Sequence, residues 1–505
     1  MKNKLLRLNN YETMKLIKKI IDKIDDNLNP IVVKELRQAV QSRFVVSLLM
    51  FMLVVLMSVM IFFALFSISE KASTGIVSKG RDAFGILFGI FVFSSMLFVP
   101  LYTAFRMFTE RSGDNMDLVF ISAVKPKAII RGKLFTGMAI TLLIFSVCLP
   151  FMCFTYLLRG VDLPSIFVIL TMAFTAVAIL TQFALFVAAG DQWNRVLRAV
   201  MGLGLIAIAA GSGFIIITMS NYMLWTGVGS RLGTWDFWAE AAIVLIPAGF
   251  LSGFLYMLSV DEITPPSANR ALGFRLYITV SGLLTGIISF ISSGIQEWFA
   301  PFLCIMAAAL VSAVCEKDGQ SLRVRHSIPH GKIKRTAAFF FYSGSANGIA
   351  WSIIITGLAF CAVIFDDLLF DRPIYSGHVI DYYYLPIGFF LYHYCLTLSG
   401  LLIRRKLLWK LIDTTHTWTV IIGLYAVSFI IPLITAIWRG LGNLPDMLLV
   451  GFINYAVMET GGNRPDLDIP VLWALIVTIL SLPWFIKQVT GFAPLDNTNR
   501  QECKK

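Results

Sequence analysis

Charge is scarce in this chain. Only 14% of its 505 residues are Asp, Glu, Lys or Arg, against 57% hydrophobic, and the mean hydropathy is +0.77. Soluble domains carry about 25% charged residues, so an ordinary soluble fold is excluded. Histidine is rarer still. His326 and His330 stand four apart, but Pro329 and the surrounding basic charge point to a solvated loop rather than a metal pair. The 7 cysteines (Cys148, Cys153, Cys304, Cys315, Cys361, Cys395 and Cys503) are scattered without a C-x-x-C pair, which indicates neither a disulfide framework nor a zinc site. Also missing are the G-x-x-x-x-G-K-[ST] phosphate loop, the dinucleotide glycine fingerprint and a His-Glu-x-x-His helix. The chain therefore does not hydrolyse ATP by itself, and it offers no catalytic, cofactor-binding or metal-ligating residue. Acids are absent from the interiors of the apolar runs, which argues against a proton-coupled carrier. No acid–histidine cluster marks a membrane interface, which disfavours a lipid-processing enzyme.

What the chain has instead is long apolar runs, near 44–67, 83–107, 134–157, 166–189, 199–219, 238–260, 273–292, 298–315, 347–365, 382–403, 416–437 and 469–487. Each approaches the roughly 20 residues a helix needs to cross a bilayer, so the expected fold is all-α with about twelve transmembrane helices. Threading the loops alternately puts 34 of the 42 lysines and arginines on the side of the N-terminus. Acids divide almost evenly, so the net charge of +12 reads as an orientation signal with both termini cytoplasmic, not as nucleic-acid binding. Residues 1–28 space Leu16, Ile17, Ile20, Ile21 and Ile24 as a helix among lysines, which suits an anionic lipid surface. The first long apolar run begins only near Phe44, so no cleavable signal peptide is expected.

Between the second and third runs lies a polar, net-basic island of about two dozen residues, Glu110 to Lys133. Asp114 can cap a short helix there, with Asp117 near its positive end and Met116, Leu118, Val119, Phe120 and Ile121 supplying an apolar face that needs a partner. Pro126 suits the first turn of the helix that follows. Upstream, in the stretch Asn29 to Gln38, Asn29 and Pro30 have the types expected at the cap and first position of an amphipathic lead-in helix. Its apolar stripe is Val32 or Val33, Leu36, Val40 and Phe44, and Lys34, Glu35, Arg37, Gln38 and Gln41 are expected to face elsewhere.

These two segments resemble those of type-2 ATP-binding-cassette permeases, the membrane subunits of many bacterial exporters. The likeness rests on Glu110-Arg111, Gly113, Asp117-Leu118, Pro126, Ile129 or Ile130 and Gly132-Lys133 in the loop, and on Asn29-Pro30 with Glu35-Leu36-Arg37 in the lead-in helix. Ala123 and Lys125 replace a proline and a serine common among relatives. The resemblance covers roughly the first quarter of the chain. It implies a permease in the bacterial cytoplasmic membrane, powered by a separate ATPase that binds the ATP and docks on the loop. Met116, Leu118, Val119 and Phe120 would seat in that partner, while Glu110, Arg111 and Asp117 fix the loop.

The expected organisation is a cytoplasmic tail and lead-in helix (1–43), a first six-span unit (44–260), a linker (261–272), a second six-span unit (273–489) and a cytoplasmic tail (490–505). Glu316-Lys317-Asp318-Gly319-Gln320-Ser321 and Gly331-Lys332 echo the island without its leucine-rich turn, as a degenerate second coupling element. The resemblance implies a short surface or re-entrant helix in the loop 221–238, where Trp225, Trp235 and Trp238 suit the outer interface. Met447 to Ile453 in the loop 439–468, apolar but too short to cross, is expected to form a re-entrant or interfacial helix. A complete duplication implies one chain over two ATPases, a degenerate second half a homodimer. Tyr382 to Tyr384 suit an outer aromatic anchor, and His393, between Tyr392 and Tyr394, reads as a packed ring with a satisfied nitrogen, with substrate contact as the alternative. Gly85/Gly89, Gly249/Gly253, Gly282/Gly286 and Gly344/Gly348 fit G-x-x-x-G and read as internal packing. The alternative function is a non-transport membrane scaffold or assembly factor on the permease fold.

Overall fold

Apolar runs of this length cannot leave their peptide groups unpaired in lipid, and an α-helix pairs them within one segment. The computed structural model describes residues 30–69, 76–111, 125–157, 161–190, 195–265, 268–292, 295–370, 379–438 and 468–494. Among them there is no strand. Ten helices are long and apolar enough to cross a membrane, and Trp298–Val314 and Thr417–Ser428 are shorter apolar stretches where the sequence suggests the eighth and eleventh spans. The protein is an all-α, multi-pass membrane protein.

The chain divides into two compact units, Met1–Thr264 and Pro265–Lys505. The first unit holds α1 (Pro30–Val40), α2 (Arg43–Ser69), α3 (Ile76–Arg111), α4 (Pro126–Leu157), α5 (Leu163–Ala189), α6 (Arg195–Thr226), the short α7 (Val228–Arg231) and α8 (Trp235–Ile263). Its centre is α3, which packs against α4, α5 and α6, while α1 lies on α4. Phe84, Phe88 and Phe91 recur at helical spacing on α3 and are fully buried, and Phe91 meets Phe145 of α4 edge-on at 5.8 Å. A Cβ at Gly137 of α4 would stand 3.0 Å from the methyls of both Thr103 on α3 and Thr181 on α5, so glycine sets the distance at which three helices meet. Gly227, in the left-handed region at φ 68°, turns the chain from α6 into the surface helix α7.

The second unit holds α9 (Ala271–Ser292), α10 (Gln296–Val314), α11 (Leu322–His326), α12 (Lys332–Phe341), α13 (Ser345–Phe370), α14 (Val379–Lys406), α15 (Thr417–Trp438) and α16 (Asp468–Gly491). Here α10 packs on α13 and α14, and α14 also meets α15 and α16. Three of the paired glycines serve α10: Gly286 faces the Trp298 ring, Gly282 the Phe302 ring, and Gly348 lies against Ala313. By contrast, nothing stands within 4 Å of a Cβ at Gly89 or Gly249. Asp366, 1% exposed at the far end of α13, accepts a hydrogen bond from the Ile295 N–H at 3.3 Å and so places a carboxylate at the positive end of α10. His393 has both ring nitrogens engaged, Nδ1 by the Tyr425 hydroxyl and Nε2 by the Ala307 carbonyl at 2.8 Å.

Candidate functional site

Helix α1 starts at Pro30, whose missing N–H would go unused in a first turn. It turns a face to the protein that differs from the expected apolar stripe. Val40 and Phe44 are 49% and 47% exposed, whereas Ala39 is fully buried and Glu35 only 5% exposed. Arg37 is exposed and Leu36 half-buried. The expectation that Glu35 faces away is therefore corrected, and the reason is charge neutralisation by residues distant in sequence.

Lys133, eight residues into α4 counting Pro126 and 2% exposed, places Nζ 3.1 Å from Glu35 Oε1 and 2.6 Å from Glu110 Oε2. Glu110 is the penultimate residue of α3. One helical turn earlier on α3, Arg106 reaches Glu35 Oε2 at 3.7 Å and donates to Gln38 Oε1. Two cations thus face two carboxylates across three helices, and the buried charges balance. Burial pushes the Glu35 carboxyl up, but Lys133, which also donates a hydrogen bond to it, and Arg106 together hold it below the ordinary value of 4.5. Beneath the cluster, Ile130 is 1% exposed, and the carbonyl of buried Gly132 accepts from Thr136 Oγ1 at 3.0 Å.

Of the residues singled out from sequence, Glu35, Glu110 and Lys133 meet in one cluster. Arg111 ends α3. Asn29, Gly113, Asp117, Leu118 and Phe120 lie outside the described residues, as do Met116, Val119, the tail 1–28, the segment Met447 to Ile453 and Cys503. Sequence reasoning missed Arg106 and Gln38. The signal available was spacing: Arg106 and Glu110 are i,i+4 on one helix, Glu35 and Gln38 i,i+3 on another, so both pairs line single helix faces.

The echo in the second unit is built differently. Glu316, just beyond α10, accepts two hydrogen bonds from Arg275 Nη2 at 2.6 and 2.7 Å and one from the Gly344 N–H at 2.6 Å. Arg275 is 1% exposed and also donates from Nη1 to the carbonyls of Phe340 (3.0 Å) and Tyr342 (2.8 Å). Asp318 accepts from Arg405 Nη1 at 3.0 Å and from Trp484 Nε1 at 3.3 Å, as well as from Ser345. Lys332 is exposed where Lys133 is buried. The segment that echoes the island is a clasp on its own unit.

No family model, curated protein or solved structure matches the chain. Among the described residues no group of three or more His, Cys, Asp or Glu could hold a metal ion. The chemistry the first cluster supports is mechanical: it ties α1 to both flanks of the segment 112–124, so displacement of either flank is felt by the other helices through buried charge.

Proposed function

We propose that this chain is the membrane-spanning permease subunit of an ATP-driven transporter of the type-2 ATP-binding-cassette kind, acting as an exporter. A separate cytoplasmic ATPase binds ATP and docks on the coupling loop, residues 108–133. In this reading the two shorter apolar helices also cross, giving twelve spans in two six-helix halves, with both termini cytoplasmic in a bacterial inner membrane. The observation that carries it is the Glu35–Lys133–Glu110 cluster, which joins α1 to the helix before and the helix after the island. ATP binding and hydrolysis in the partner push the island, the cluster passes the displacement to α1, and the bundle moves between inward- and outward-facing states.

The test is purification of the tagged chain in detergent, probing for a bound ATPase in wild type and in Leu118→Asp/Phe120→Asp. Loss of a copurifying ATPase at unchanged membrane abundance supports the permease. Absence of any ATPase from the wild type, under conditions that preserve a known transporter, favours the scaffold or assembly factor.

A further inference from the structure

Outside the long helices, large exposed apolar side chains are few among the described residues. Val40 stands on α1, and Leu322, Ile333, Leu407, Trp409 and Leu411 all belong to the second unit. Leu322 and Ile333 lie on α11 and α12, in the connection from α10 to α13; the other three lie in the connection from α14 to α15. The two connections meet, because Arg405 binds Asp318 and Lys317 Nζ stands 3.9 Å from Asp413 Oδ2. They are also anchored from behind. The Arg405 guanidinium lies 4.5 Å over the Trp484 ring of α16, and Arg335 donates to the Phe492 carbonyl. Ile333 is 87% and Leu411 82% exposed.

The charge around them is mainly positive. Residues 321–335 contain no acid, and residues 404–413 contain only Asp413. Arg335, Arg404 and Arg405 are drawn inward, which leaves Arg323, Arg325, Lys332, Lys334, Lys406 and Lys410 exposed. Lys410 Nζ sits 5.1 Å over the Trp409 ring, an arrangement that keeps ring and cation at one level. A protein-binding patch is depleted of lysine at its core, whereas four of these six cations are lysines interleaved with Leu, Ile and Trp beside the ends of spanning helices.

We propose that these two connections form a docking surface for the anionic leaflet of the bilayer that carries the chain. Leu322, Ile333, Leu407, Trp409 and Leu411 enter the boundary of the acyl chains, and the six cations bind the phosphodiester headgroups above them. The surface belongs to the second unit alone and depends on the multi-pass membrane assignment, not on the transport reading.

The experiment measures thermal unfolding of the full chain in a neutral detergent with added phosphatidylglycerol, phosphatidylcholine or inorganic phosphate. Lipid retained by the purified chain is quantified in parallel. Phosphatidylglycerol raises the midpoint of the wild type, and phosphatidylcholine and phosphate leave it in place. In the variant with Arg323, Arg325, Lys332, Lys334, Lys406 and Lys410 all changed to Gln, the lipid-free midpoint is unchanged, and retained phosphatidylglycerol falls by about tenfold or more, given the additive attraction of each cation. Should the six-fold variant not accumulate, Leu322→Ser/Ile333→Ser/Trp409→Ser lowers retention while keeping the charge. Equal retention by wild type and both variants overturns the proposal, as does an equal shift with phosphatidylcholine. A shift with phosphate alone assigns the surface to a soluble anion. Loss of a copurified protein from the charge variant with lipid retention intact assigns it to that protein.

Discussion

Lys133 in the first unit and Arg275 in the second both lie within the first three turns of a long apolar helix, both are nearly inaccessible, and both meet an acid at the end of another helix. They differ in what else they hold. Lys133, a compact point charge, is shared between the side chains of Glu35 and Glu110. Arg275 spreads its planar fork over both Glu316 oxygens and the backbone carbonyls of Phe340 and Tyr342. Parting the first cluster leaves no main-chain group orphaned, which is what the proposed movement of α1 requires. Parting the second strands backbone carbonyls, so its segment is fixed. The difference teaches that a buried ion pair becomes a joint or a clasp according to whether its remaining donors meet side chains or peptide groups.

The sharpest way to break this comparison is Arg275→Ala. It leaves Glu316 buried without its cation and is expected to destabilise the second unit by about 3–5 kcal/mol, read as a lowered unfolding midpoint in detergent. Arg275→Lys should recover little, since an ammonium cannot make the fork; full recovery would remove the distinction between clasp and joint. Lys133→Met comes next, at about 3 kcal/mol, softened because Arg106 stays near Glu35. Adding Glu35→Gln should restore part of it, with a coupling of about 0.5–3 kcal/mol in a double-mutant cycle. A cycle with no coupling would mean that α1 is not held by charge.

A third comparison uses glycine. A Cβ at Gly348 would run into Ala313 and stand 2.7 Å from Arg275 Nη2, so Gly348→Ala is expected to cost about 1–3 kcal/mol. Gly89→Ala, with open space around it, should be neutral or stabilising by up to about 1 kcal/mol. Equal effects at the two sites would contradict the close approach of α13 to α10.

The smallest effect is that of pH on Glu35. Its folded value lies below 4.5, so the unfolded chain takes up the proton first as pH falls. The stability it contributes is complete above the ordinary carboxylate range and fades as pH drops through the lowered folded value. Comparing the midpoints of wild type and Glu35→Gln at neutral pH and in acid should show their difference shrinking in acid. A difference that grows would reverse the sign of the shift.

Much of the architecture was legible because membrane helices are specified locally: runs such as Leu163–Ala189 are apolar on every face, and Pro30 and Pro126 mark starts that appear as helix starts here. Glu35, Glu110 and Lys133 could be nominated, but not their meeting. An apolar stripe assigns burial by hydrophobicity, and nothing local tells a carboxylate that its counter-ion waits 98 residues away. Arg275 showed only as one of the basic residues of a loop count, since a buried arginine and a topogenic one look alike until the carbonyls around it are placed. The four glycine pairs were likewise equal on paper; Gly282, Gly286 and Gly348 meet α10 because the fold brings Phe302, Trp298 and Ala313 to them.

By itself, then, the chain determined its class: too little charge for water, and apolar stretches that close their hydrogen bonds only as helices. Only the tertiary structure decided which charges are paired and what each pair does. Short-range pattern sets whether a segment can leave water, whereas the burial of a charge depends on partners that folding brings from other helices.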